Sequence, residues 1–234
     1  TNMYCSRNCR EGYRIKTMKI SDMLYEAAQD LWGEAAEKSF VREMAEGSLD
    51  EGLFRRYMIQ DYLYLLDYID TLRLIQSRTD DAEMTAFMDA VIAETENETY
   101  RVHVPHMKLL GVSDEEISCA ARLPVISEYI GYMQRQIHEH GLIAGLTALL
   151  QCSWLYAYIG QKAVSEHADS IAASPYKFWF DAYTCREYLE ANQMWIDVLD
   201  RETQGISRDM AEMLKGIFVR CAGYENELWD ELYS

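Results

Sequence analysis

Apolar side chains recur every three or four positions along almost the whole chain, and strict two-residue alternation is essentially absent. That spacing is the period of an α-helix with one face turned to a core, so the pattern argues against a sheet from the outset. Only 3 prolines interrupt the 234 residues, which allows long unbroken helices. With 49% apolar residues and no Ser/Gly-rich linker, internal repeat or low-complexity tract, the economical expectation is an all-α, single-domain helical bundle.

The helices can be placed from their breaks. A first runs from a cap at Ser21 to the Gly47-Ser48 pair, and a second from about Asp50 to Ser77. A third covers about Asp81 to Leu110 and stops at Gly111, and Ser113 with Glu116 has the spacing of a capping box. A fourth starts after Pro124 and reaches His140, a fifth spans Leu142–His167, and a sixth Tyr176–Tyr183. The last two cover about Arg186–Asp200 and Ser207–Tyr233. Residues 1–17 are basic and lack this periodicity, so they are expected to be a tag remnant or non-native extension ahead of a helical domain over 18–234.

Several function classes recede on composition. A net charge of -17 repels phosphate backbones, so no nucleic-acid partner is expected. No uninterrupted apolar run reaches the ~18–20 residues of a membrane span, and no membrane partner is expected. The 6 cysteines are widely spaced in a core-rich chain, which suggests reduced thiols and a cytoplasmic protein. None of the five histidines follows a Glu by three residues, as a di-iron bundle requires, and no nucleotide-cradling glycine motif occurs. Neither a metal nor a cofactor is expected. A haem-handling enzyme would need an axial histidine early in the chain, and residues 1–102 hold none.

The 17 tyrosines are the unusual feature, because many sit on core-facing stripes, where a buried hydroxyl needs a partner. In RRYMIQDYLYLLDY, Asp61 and Tyr64 share a face with Met58, Leu65 and Tyr68, and a carboxylate on such a stripe is costly unless paired. In LTALLQCSWLYAYIG, Cys152 lies in mid-helix with Tyr156 one turn on. In GYENELWDELY, Glu225 and Trp229 are one turn apart. Taken singly, Cys152 reads as a small core residue and Glu225 as a solvated one.

Taken together these segments resemble the TenA family, also called thiaminase II. The family's QDxxYL helix stands here as Gln60-Asp61-Tyr62-Leu63-Tyr64-Leu65. Its LLPCxWxY helix is Leu149-Leu150-Gln151-Cys152-Ser153-Trp154-Leu155-Tyr156. Its KWIxxY stretch is Phe178-Trp179-Phe180-Asp181-Ala182-Tyr183, and its YExxFW element is Tyr224-Glu225 followed by Glu227-Leu228-Trp229. Order and spacing agree over about residues 20–233. The resemblance implies a bundle similar to the haem-oxygenase fold. It also implies hydrolysis of an aminomethyl-pyrimidine to the hydroxymethyl-pyrimidine used in thiamin salvage, with cleavage of thiamin in many members.

The resemblance assigns Cys152 as nucleophile, Glu225 as acid/base and Asp61 as the carboxylate that holds the pyrimidine. Tyr64, Tyr129, Tyr156 and Tyr183 match pocket tyrosines that stack on the ring or hydrogen-bond around the site. The resemblance also implies a homotetramer. This chain departs in having Gln151 where proline is usual and Leu228 where an aromatic is common, which is expected to soften one pocket wall. The alternative reading is a non-catalytic pyrimidine-binding or regulatory protein on the same bundle.

Overall fold

The computed structural model describes residues 19–234, so the expectation for residues 1–17 lies outside the described residues. Eleven α-helices follow one another among the described residues, with no strand. They are α1 (Ile20–Ala36), α2 (Ser39–Glu46), α3 (Glu51–Gln76), α4 (Ala82–Asn97), α5 (Val104–Leu109), α6 (Asp114–Cys119), α7 (Pro124–His140), α8 (Leu142–Ala173), α9 (Lys177–Thr184), α10 (Arg186–Glu202) and α11 (Arg208–Tyr233). A π-helical turn, Glu98–His103, joins α4 to α5.

Helix α8 is the axis of the bundle and packs against α1, α2, α3, α7, α9, α10 and α11. Leu146, Leu149, Leu150, Leu155 and Ile159 along it are fully buried, each stabilising the fold by roughly 2 kcal/mol. By composition α8 is long and apolar enough to cross a membrane, contrary to the expectation from uninterrupted runs. Its apolar window is 67% buried among the other helices, which is the position of a core helix. Gly145 lets α8 approach α3 and α7: a Cβ there would lie 2.7 Å from Ile137 Cγ1 and 2.8 Å from Ile75 Cγ1.

Three boundaries differ from the sequence reading. The first predicted helix is two, α1 and α2, broken near Glu37, and Gly47 closes α2 with a left-handed φ of 74°. Ser21 does not cap α1. It sits inside the first turn, and its N–H and hydroxyl donate to Asp200 of α10 at 3.0 and 2.8 Å, so a distant carboxylate does the capping. Helix α8 runs past His167 through a kink there (φ -131°, ψ 27°) to Ala173. The expected Ser113/Glu116 capping box forms, and Asp50, where the second helix was expected to begin, caps α3 through the N–H groups of Gly52 and Leu53.

Candidate active site

A cavity of about 570 Å³ opens between α3, α4, the π turn, α8, α9 and α10. Five of the seven sequence-predicted residues line it: Asp61, Tyr64, Cys152, Tyr156 and Tyr183. The other two stand behind that wall. Glu225 on α11 is 1% exposed, and its carboxyl and the Cys152 thiol act on each other's titration. Tyr129 on α7 is buried, with its ring stacked between Tyr64 (5.7 Å) and Tyr224 (5.2 Å), so it backs the pocket rather than facing it.

The cost of burying Asp61 is met by two direct partners, one of them backed by a third. Trp179 Nε1 donates to the Tyr57 hydroxyl at 2.9 Å, and that hydroxyl donates to Asp61 Oδ2 at 3.2 Å. His103 Nε2 lies 2.5 Å from the same oxygen, both side chains being almost fully buried. The other ring nitrogen, Nδ1, faces the carbonyl of Glu98 at 3.3 Å. Both ring nitrogens therefore face acceptors, and only the imidazolium donates from both. Burial pulls the His103 pKa down, but the Asp61 carboxylate and Glu98 outweigh it and raise it to about 9. Asp61 Oδ1 makes no hydrogen bond among the described residues and is left for a ligand.

The thiol is not pre-ionised. Burial pushes Cys152 well above the usual thiol range and the Glu225 carboxyl adds to the rise, against a pull from the Tyr64 hydroxyl. Glu225 is itself raised to about 7 by burial, with Cys152 and Tyr129 pulling the other way and Asp61 adding to the rise. Neither of its oxygens, nor the Tyr64 hydroxyl, has a hydrogen-bond partner among the described residues. A buried carboxyl raised toward neutral pH next to a protonated thiol can exchange a proton with it. Among the described residues no group of three or more His, Cys, Asp or Glu side chains could hold a metal ion.

The sequence matches the model of the TENA/THI-4/PQQC family over residues 25–234. It belongs to that family. An aminopyrimidine aminohydrolase of Helicobacter pylori is 30% identical over 218 residues, covering 93% of this chain and 100% of the relative. An aminopyrimidine aminohydrolase of Halalkalibacterium halodurans is 30% identical over 222 residues, covering 93% and 96%. Among solved structures, a TenA homologue from P. horikoshii OT3 superposes with a TM-score of 0.82 at 24% identity, covering 92% of this chain and 99% of that one. A domain with a haem-oxygenase-like fold from Shewanella denitrificans gives a TM-score of 0.72 at 14% identity, covering 93% of each chain. The TenA-type bundle expected from the sequence is therefore the fold of this chain.

Within that family frame, the two departures have unequal consequences. Gln151 is fully buried in α8, and its Oε1 accepts from the Tyr129 hydroxyl at 2.9 Å, so it anchors the tyrosine behind the thiol. Leu228 is buried but does not line the cavity, so it softens no wall of it.

Tyr57, Glu98 and His103 were not found from sequence. Residues five apart, such as Glu98 and His103, sit about 140° apart around an α-helix and look unrelated. The wider π turn brings both to the cavity. The available signal was indirect: a carboxylate on the apolar stripe of α3 demands a buried partner, and a histidine is the cheapest cation to supply.

Proposed function

We propose that this hydrolase acts on a 5-aminomethyl-4-aminopyrimidine, replacing the amine by hydroxyl through attack of Cys152. The observation that carries this reading is the convergence of α3, α8 and α11: Asp61 and Cys152 on one cavity surface, with the buried Glu225 carboxyl near enough behind it to shift the titration of the thiol. The relatives named aminopyrimidine aminohydrolase support the substrate class.

In this reading Asp61, held by His103 and Tyr57, accepts from the exocyclic amine of the ring through Oδ1 and fixes its orientation. Tyr64, Tyr156 and Tyr183 pack on the flat ring, each such contact adding about 1 kcal/mol beyond area burial. Glu225 takes the thiol proton, and the thiolate adds to an electron-poor ring carbon. The ring electrons then expel the amine from the methylene carbon. Water adds to that carbon, the C–S bond breaks, and the proton returns through Glu225. The balance is an aminomethyl group and water in, a hydroxymethyl group and ammonia out, with the thiol restored.

The test is ammonia release from 4-amino-5-aminomethyl-2-methylpyrimidine by the wild type and by Cys152→Ala. The reading requires release by the wild type, none by the variant, and retained binding of the hydroxymethyl product by both. Binding without release in the wild type would favour a pyrimidine-binding protein instead.

A further inference from the structure

The cavity has a charge pattern that its three assigned polar residues do not explain. Among the described residues no Lys or Arg side chain lines it, while three carboxylates beyond Asp61 do: Glu94, Glu98 and Glu187. Glu94 and Glu187 are exposed and belong to the mouth, whereas Glu98 is half-buried. The charge of Asp61 is already met by His103, and Glu225 is sealed behind the thiol. Glu98 feels the His103 charge too, but among the described residues it is in no ion pair.

Its geometry suits the binding of a cation. The π turn carries Glu98 to the cavity, and Tyr183 holds it by donating from its hydroxyl to Oε1 at 2.9 Å. The second oxygen, Oε2, makes no hydrogen bond among the described residues. Tyr68 and Tyr188 line the same cavity as Glu98 and Cys152. A ring held at Asp61 occupies the cavity that this carboxylate also lines, so an ammonium on its side arm turned toward Glu98 would meet the free oxygen. The Tyr64 hydroxyl, buried and without a hydrogen-bond partner among the described residues, leaves a polar group for a ligand at the thiol end of the cavity.

We propose that Glu98 is the specificity residue that selects a substrate bearing a primary ammonium, by placing its free carboxylate oxygen against that cation. The inference rests on the proposed aminopyrimidine reading and adds to it the group that tells the charged substrate from the neutral product. A carboxylate held in the cavity wall with one empty lone-pair side gains more from an ammonium, which adds a full charge, than from a hydroxymethyl group, which offers only a neutral donor that an amide can also satisfy. Burial also pushes the Glu98 carboxyl up, against pulls from His103 and Tyr183, so a bound ammonium relieves a standing cost.

The test measures binding by calorimetry at pH 7 in a Cys152→Ala background, which prevents turnover. The ligands are the aminomethyl-pyrimidine, a cation, and the hydroxymethyl-pyrimidine, which is neutral in its side arm. Glu98→Gln keeps the acceptor for Tyr183 and removes the charge. It is expected to weaken the aminomethyl ligand by about 10- to 100-fold, the range of one hydrogen bond to a charged group, and to leave the hydroxymethyl ligand within about twofold. Glu98→Asp keeps the charge on a shorter arm and is expected to retain a preference for the cation. Equal weakening of both ligands by Glu98→Gln would reduce Glu98 to a prop for Tyr183 and overturn the proposal. So would unchanged binding of both, and in either case the pyrimidine reading survives. If Glu98→Gln fails to fold, loss of the cation preference in a folded Glu98→Asp also overturns it. A parent protein that binds neither pyrimidine overturns the underlying reading as well.

Discussion

Glu225 is the residue whose energetics can be worked furthest, because it is 1% exposed and its pKa is raised from 4.5 to about 7, chiefly by burial. The folded state therefore holds this proton more tightly than the unfolded chain. Below pH 4.5 both states keep it and the carboxyl carries no penalty. Between 4.5 and 7 the unfolded chain ionises first, and stability falls by about 1.4 kcal/mol per pH unit. Above 7 both are ionised and the loss levels off at roughly 3 kcal/mol. Glu225→Gln has the same shape and no proton to lose. Urea unfolding of both proteins at a series of pH values isolates the effect, since every other titrating group is common to the two. The stability difference is expected to move in favour of the variant by about 2.5 kcal/mol between pH 5 and pH 8.5, with most of the change below pH 7.5. A difference that stays flat with pH would refute the claim that this carboxyl is buried at a cost. The same substitution is expected to abolish the limb near pH 7 in the kcat/KM profile of ammonia release.

Other outcomes follow from the same structure. His103→Gln leaves the Asp61 carboxylate buried without its cation, and is expected to destabilise the fold by roughly 3–5 kcal/mol in urea titration at pH 6. Because the His103 pKa is raised to about 9, its stabilisation is full below pH 6.5 and is lost as pH rises through about 9, so the gap between wild type and His103→Gln should narrow over that window. Gly145→Ala places a methyl against Ile137 and Ile75 and is expected to cost about 1–3 kcal/mol by thermal unfolding. Asp200→Ala strips the first turn of α1 of its acceptor and is expected to cost about 1 kcal/mol, with amide exchange rising first at Ser21.

Much of the molecule is written in local pattern. The 3.6-residue period, the capping box at Ser113 and the break at Gly141 depend on residues near in sequence, so they placed the long helices directly. Asp61, Tyr64, Cys152, Tyr156 and Tyr183 could be named because each sits in a motif a few residues long, and the cavity then joins them. What depended on distance in sequence stayed hidden. The cap of α1 comes from Asp200, on a helix at the far end of the domain, and Tyr129 turned out to back the pocket because Gln151 holds it there. The Asp61–His103 pair joins positions 42 apart, and it forms only because a π turn rotates His103 and Glu98 onto one side. Periodicity tells which face of a helix is buried, whereas the partner that makes a buried charge tolerable is chosen by packing. In this protein the sequence alone settled the helical bundle and its nucleophile candidate, while only the assembled helices decided which carboxylates are paired, sealed or free.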